Sequence, residues 1–314
     1  MLPPASVVIV TRNRADSLAR ALGALRKLDY PNYEIVVVDN DSTDHTKQII
    51  EENGARYVFA PSQEGIGSCR NRGVTEAKGE IVAFCDDDCV PASQWLSQFA
   101  KRLAAEPDVG LLGGRVINVG FPSVNGKQDK LYKGRSRMGR NGKLIFVEDI
   151  HRAEFFGNMN LAFRKHVVEE VGNYDPFFNV MEEIDLELKI RRAGYEVAFE
   201  PDAVLEHHYT GLNYKKRHFF YGPDLVRLYF CMKHFRPSGA GQWIRFLLYE
   251  VRLLGKELFN AFRKFVSVIM KGQFGRLPSV FTDAVNSVTA RLALPWLLWR
   301  ARSNQKTMDR ITED

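Results

Sequence analysis

Residues 81–91 read Ile81-Val82-Ala83-Phe84-Cys85-Asp86-Asp87-Asp88-Cys89-Val90-Pro91. Five apolar residues without polar alternation describe a strand buried on both faces, and three carboxylates follow at its C-terminal end. Adjacent carboxylates repel one another, so such a cluster is costly unless a cation neutralises it. Aspartate oxygens are hard ligands that suit Mg2+ or Mn2+, ions that in turn bridge the oxygens of a diphosphate. A solvated acidic turn is the plainer reading, but a buried strand leading into it leaves little room for ordinary surface exposure.

The same pattern extends upstream. Val7–Val10 and Glu34–Val38 are further runs without alternation, and Arg56–Phe59 is a shorter one. Between them, Ala15–Leu28 carries Leu18, Leu22 and Leu25 at helical spacing, Ser42-Thr43-Asp44 offers N-cap chemistry for a helix through Ile49 and Ile50, and Ser68–Ala77 reads as a third helix. Strands that do not alternate, each followed by a helix, predict a doubly wound, mostly parallel sheet flanked by helices, an α/β domain. Further on, Phe155–Phe163 reads as ordered structure, Glu182–Arg192 as a helix ended by Gly194, and Glu196–Phe199 as a strand. Between these halves, Gly126–Lys143 holds seven basic residues against Asp129, which suits a mobile loop over a site or a solvated insertion.

The 314 residues, 45% hydrophobic and 26% charged, suit a globular protein and exclude a disordered, collagen-like or small disulfide-stapled chain. Cys69, Cys85, Cys89 and Cys231 show no CxxC pairing, so reduced thiols in a cytoplasmic setting are expected rather than a disulfide or zinc framework. No secretory signal is evident, and no apolar run reaches the roughly 18–20 residues of a spanning helix. The charge is uneven. Residues 1–212 hold 26 Lys and Arg against 31 Asp and Glu, whereas residues 213–302 hold 16 against 4. The basic excess of the C-terminal third points to an anionic surface there.

Ligands of doubly wound sheets bind beyond the carboxyl ends of the strands. Thr11-Arg12-Asn13-Arg14 follows the first strand, and the absence of GxGxxG removes the main support for a dinucleotide site. Asp39-Asn40-Asp41 follows the second; a carboxylate there can accept from a nucleobase imide or a ribose hydroxyl. Glu64-Gly65-Ile66-Gly67-Ser68-Cys69-Arg70 brings glycines and an arginine to a helix start, a combination suited to phosphate. The acids Glu182, Glu183 and Asp185 at the start of a later helix also complement its macrodipole.

Taken together, VVIVTRNR, VVVDNDSTD, GIGSCRNRG and IVAFCDDDCVP, followed by FFGNMNLAFRK, VMEEIDLELKIRRAGYEV and PDAVLEHH, resemble the family 2 glycosyltransferases in order and spacing over about residues 5–210. The resemblance implies a GT-A fold and an inverting, metal-dependent transfer from a nucleotide sugar to a glycan or lipid-linked acceptor. It implies that Asp39 contacts the nucleobase, that Thr11 and Asp41 lie at the nucleotide pocket, and that Arg70 stands near the diphosphate. Asp86, Asp87 and Asp88 match the DxD segment, with Asp88 the direct ligand of Mn2+ or Mg2+ and Asp86 a second candidate. Gly157 and Asn158 match the lining of the sugar and acceptor pocket. Glu183 matches the catalytic base, here Glu where the family pattern has Asp, with Glu182 and Asp185 as alternates. His207 resembles a histidine that reaches the metal, with His208 its rival. UDP- or dTDP-sugars are the favoured donors, with GDP-sugars as a further option. A non-catalytic partner of the same fold and a nucleotidyltransferase are the competing functions.

The expected organisation is a catalytic domain over 1–212, with a nucleotide-sugar half to about 117 and an acceptor half from 118, and a helical region over 213–314. Within that region Gln242–Lys271 is amphipathic. Arg245, Arg252, Lys256 and Arg263 share one line, and the apolar residues from Ile244 to Ile269 fill the opposite arc. A second apolar stretch at 279–302 ends with Trp296 and Trp299 beside Arg300 and Arg302. That pattern suits a helix lying in the interface of an anionic membrane, and so a peripheral protein at the inner face of the cell membrane; an oligomer contact is the other reading. No nucleic-acid reader motif accompanies the basic residues.

Overall fold

The computed structural model describes residues 2–120, 155–178, 180–208, 223–234, 239–270 and 277–311, together with the backbone of 135–138 and 144–146. The basic segment 126–143 therefore lies largely outside the described residues. The chain divides into two compact units, Met1–Lys215 and Lys216–Asp314.

The first unit begins with the alternation expected of a doubly wound sheet. Its elements are β1 (Ala5–Thr11), α1 (Ala15–Leu25), β2 (Tyr33–Asp39), α2 (Thr46–Glu52), β3 (Arg56–Phe59), α3 (Ile66–Glu76) and β4 (Ile81–Cys85). β1 pairs in parallel with β2 and β4, and β2 with β3. Val7, Val8, Ile9, Val36, Val37 and Val38 are fully buried, as strands covered on both faces must be. α1 turns Leu18, Leu22 and Leu25 into the same core. Two helix starts share one cap. One Asp44 oxygen accepts from the Thr46 N–H at 3.0 Å, the other from the Ala15 N–H at 3.2 Å, so a single carboxylate serves both α2 and α1.

The second half adds β5 (Cys89–Pro91), α4 (Trp95–Ala105), β6 (Val109–Val119), β7 (Arg135–Met138), β8 (Leu144–Phe146), β9 (Phe155–Phe156), β10 (Asn160–Arg164), α5 (Lys165–Glu170), α6 (Glu182–Arg192) and β11 (Glu196–His208). The main sheet has the order β3-β2-β1-β4-β10-β6-β11-β5, and β8-β7-β9 form a small one. β10 is antiparallel to β4 and β6, while β6 and β11 are parallel. The buried Trp95 indole donates to Asn160 Oδ1 at 2.7 Å, and Asn160 Nδ2 donates to the Arg115 and Ala203 carbonyls, which fixes α4 against the sheet.

One strand differs in length from its sequence expectation. β11 continues past Phe199 to His208. The register shifts between Glu200 and Val204, so Pro201 and Asp202 form an irregularity in the strand instead of ending it. The extension carries His207 to a position opposite Cys89 of β5.

In the second unit the helices are α7 (Pro223–His234), α8 (Ala240–Met270), α9 (Leu277–Leu292) and α10 (Leu294–Ile311). Two acids of α8 are held within it. Glu250 accepts both guanidinium nitrogens of Arg227, at 2.8 and 2.6 Å, and Arg291 reaches Glu250 at 3.4 Å and Glu257 at 3.1 Å. Among the described residues, no helix is long and apolar enough to cross a membrane.

Candidate active site

The parallel strands β1, β2 and β4 end at Thr11, Asp39 and Cys85, and Thr11 and Asp39 are register partners. The chemistry-bearing residues collect just beyond these ends. Asp39 is buried; its Oδ1 accepts from the Ser42 N–H at 3.1 Å and its Oδ2 from the Tyr57 hydroxyl at 3.3 Å. Asp41 follows in a left-handed conformation, φ 59°, which aspartate tolerates better than most residues.

The three acids after β4 are not equivalent. Asp87 is buried, with Oδ2 accepting from the Thr11 hydroxyl at 2.7 Å and Oδ1 from Arg14. The Ser17 hydroxyl donates to its backbone carbonyl at 2.9 Å. Burial pushes the Asp87 carboxyl up to about 6, against the opposing pull of Arg14 and Thr11. Thr11 and Asp87 thus spend these side-chain bonds within the protein. Asp86 is half-buried, and burial raises its carboxyl too, with Arg70, His207 and Arg14 pulling the other way and Asp88 adding to the rise. Asp88 differs in sign. Burial pushes it up, but His207 and Arg14 outweigh burial and hold it below the usual carboxylate value. Its Oδ1 is 3.4 Å from His207 Nε2 and its Oδ2 is 3.0 Å from Arg14.

Asp88, Cys89 and His207 bring one ligand atom each within 4.8 Å of one another. Adjacent ligands of an octahedral ion with bonds of about 2.1 Å stand roughly 3 Å apart, so the Asp88–His207 spacing fits a small divalent cation with little adjustment. Cys89 suits it less well. Its thiol is fully buried, and burial, Cys85 and the neighbouring acids push its pKa well up, so the thiolate a metal needs is disfavoured. The donors that remain, a carboxylate oxygen and an imidazole nitrogen, suit a divalent cation. His208 is placed differently: its backbone N–H donates to the Asp88 carbonyl at 2.9 Å and its ring meets Glu206 at 3.0 Å.

A second cluster forms where α6 begins. Met181 precedes it with φ 68°, and Glu182 and Glu183 open the first turn. Arg70, buried on α3, pairs with Glu182, and Glu182 holds its guanidinium charged against the cost of burial. Asn158 Nδ2 donates to Glu182 Oε1 at 3.4 Å and to Glu183 Oε2 at 3.5 Å, while the Tyr174 hydroxyl donates to Asn158 Oδ1 at 2.7 Å. The Tyr174 bond therefore sets which end of the Asn158 amide faces the glutamates. Burial, and then the charge of Glu182, push the Glu183 carboxyl up to about 8, while Arg70 pulls it down. Asp185 stands two residues on, about 200° around the helix from Glu183, with Lys189 Nζ at 3.6 Å. Gly157 immediately precedes Asn158, between β9 and β10.

Sequence reasoning left out Arg14, Tyr57 and Tyr174. Arg14 stands within the quoted VTRNR segment, and its place after a strand end was the available signal. Nothing local marks Tyr57 or Tyr174, because their roles come from strand and loop pairings distant in sequence.

This is an α/β protein whose acids gather beyond the carboxyl ends of a largely parallel sheet, where such folds bind ligands. The family described as Glycosyl transferase family 2 matches residues 6–172. The chain belongs to that family, and the matched segment is a glycosyltransferase domain. Glycosyltransferase AglE of Haloferax volcanii is 30% identical over 210 residues, covering 65% of this chain and 66% of that protein. The GalNAc(5)-diNAcBac-PP-undecaprenol beta-1,3-glucosyltransferase of Campylobacter jejuni is 26% identical, covering 56% of this chain and 57% of that one. Of solved structures, GalNAc-T7 with UDP, GalNAc and Mn2+ shares the fold at a TM-score of 0.56 and 22% identity, over 66% of this chain and 44% of that chain. The GT-A fold expected from the sequence is the fold observed.

Proposed function

We propose that the protein moves a sugar from a nucleoside diphosphate sugar to a hydroxyl of a glycan or lipid-linked acceptor, with inversion at the anomeric carbon. The observation that supports it best is the pairing of two clusters. An Asp88–His207 pair stands at the end of β4, and a proton-holding Glu183 opens α6; Arg70, paired with Glu182, also acts on Asp86. Asp39 would take the nucleobase, with Asp41 and Thr11 beside it. Asp88 and His207, with Asp86 adjacent, would hold Mg2+ or Mn2+, which supplies Lewis-acid stabilisation of the departing diphosphate. Asp87, tied to Thr11 and Arg14, would hold the segment in shape for that purpose.

The acceptor hydroxyl is a weak nucleophile and needs a base as it attacks. Glu183 takes its proton while the acceptor oxygen bonds to the anomeric carbon and the bond to the diphosphate oxygen breaks; the nucleoside diphosphate leaves with the electron pair. Asn158 orients the carboxylate, and Arg70 pairs with Glu182 next to it. Asp185, occupied by Lys189, is the weaker candidate for this role. The undecaprenol-linked substrate named for the Campylobacter relative supports a lipid-linked acceptor, and the UDP named for GalNAc-T7 supports a uridine donor. Such an acceptor would place the protein at the inner face of the cell membrane.

Calorimetric titration of UDP, dTDP and GDP, each with and without Mn2+, tests the donor site. Metal-dependent binding of one diphosphate is the expected result, lost in Asp88→Asn. Folded protein that binds none of the three overturns the reading.

A further inference from the structure

In α8 the apolar arc is not packed. Ile244, Leu248, Val251, Phe259, Phe262 and Met270 are between 58% and 81% exposed. At 100° per residue these six fall within an arc of about 100°. Arg245, Arg252, Lys256 and Arg263 fall within about 40° directly beside that arc, so the basic line borders the apolar face instead of lying opposite it as the sequence reading had it. The acids of the helix, Glu250 and Glu257, are on the far side, engaged by Arg227 and Arg291. An apolar face this continuous is more than a monomer ordinarily leaves in water.

We infer that α8 lies in the plane of an anionic lipid bilayer, with Phe262 and Ile244 at the centre of its buried face and the four basic side chains at headgroup level. Charge complementarity selects this occupant. The basic border has no acidic counterpart on the arc, and a second copy of the chain would offer the same basic border and the same internally engaged acids. Anionic headgroups supply what is missing, and each cation beside them strengthens attachment several-fold. The inference deepens the membrane-side reading of the acceptor and rests on it only for its purpose, since attachment can be measured without sugar transfer.

The test is flotation of the full chain with phosphatidylcholine vesicles, alone and with about one third phosphatidylglycerol. Retention is expected on the anionic vesicles and little on the neutral ones. Val251→Glu with Phe262→Glu should abolish it, and Arg252→Glu with Arg263→Glu should lower it at least roughly 30-fold. Both pairs are exposed, so the helical circular dichroism should not change. In a second measurement, Phe262→Trp should add blue-shifted emission only on anionic vesicles. Absence of flotation at low salt, or flotation unaffected by the Val251 and Phe262 changes, overturns the inference. So does a dimer in solution that those changes convert to monomer. Titration of UDP with Mn2+ on the same samples separates the outcomes: lost flotation with retained nucleotide binding concerns α8 alone, and the converse concerns the proposed reaction alone.

Discussion

Glu183 shows how one residue sets activity and stability against each other. Its carboxyl, ordinarily near 4.5, is pushed up to about 8 by burial and by Glu182. As a base it works only when ionised, so kcat/KM should climb with pH along an acid limb centred near 8, the value for the free protein. Stability runs the other way. Between about 4.5 and 8 the folded state keeps a proton that the unfolded chain has released, so this contribution is fully present at low pH and fades as pH rises through 8. Glu183→Gln should therefore abolish transfer and raise stability at pH 8–9. Allowing for solvent screening, the gain should be about 1–2 kcal/mol, read as a higher Tm at that pH and a flatter Tm-against-pH curve from 5 to 9. Transfer retained in the Gln variant would remove Glu183 from the base role. At Asp88 the sign is opposite. His207 and Arg14 favour its ionised form, so Asp88→Asn should lose metal-dependent nucleotide binding while leaving the helical signal intact.

The elements are held together by a few close approaches that allow no extra atom. Gly113 of β6 is the tightest: a Cβ there would stand 2.1 Å from the Phe156 ring. That ring stacks on Phe199 at 6.1 Å, and the Phe156 N–H donates to the buried Glu187 at 2.8 Å. Gly113→Ala should displace β9 and release that bond. The expected cost is about 2–3 kcal/mol, a Tm lower by roughly 5–10 °C, with the larger loss in residues 155–164 by hydrogen exchange. At this scale the sequence was legible where residues report on themselves. The β-branched runs at Val7–Val10 and Glu34–Val38 marked buried strands, and Glu182–Arg192 showed its helix between an acidic start and Gly194. It was not legible where pairing decides. The continuation of β11 through Pro201 to His208 depends on β5 and β6 as neighbours, and the acids of DDD look alike until Thr11 and Arg14 are brought to Asp87. The ordered motif set named the residues at the strand ends, but Tyr174 and Arg14 join them only through contacts made across the fold.

For the whole molecule, ligand linkage gives the broadest test. A nucleotide and cation that bind only the folded chain should stabilise it by about 2.7 kcal/mol at a hundredfold excess over Kd. UDP with Mn2+ should then raise the Tm of the first unit by roughly 5–10 °C, and a chelator should cancel the rise. Equal shifts with UDP alone would argue against a metal-held diphosphate.

Arg14 and His207 have a further consequence. Arg14 gives Asp88 a resident counter-ion from the chain itself, and His207 Nε2 stands 3.4 Å from the other carboxylate oxygen, so the acid has company before any ion arrives. Loading it is then an exchange of cations, with a guanidinium making way. Stripping the ion restores the internal pair instead of leaving bare carboxylates to repel. The protein should tolerate long storage in chelator without loss of fold, and it should take up the ion readily only when a diphosphate arrives to reward the swap.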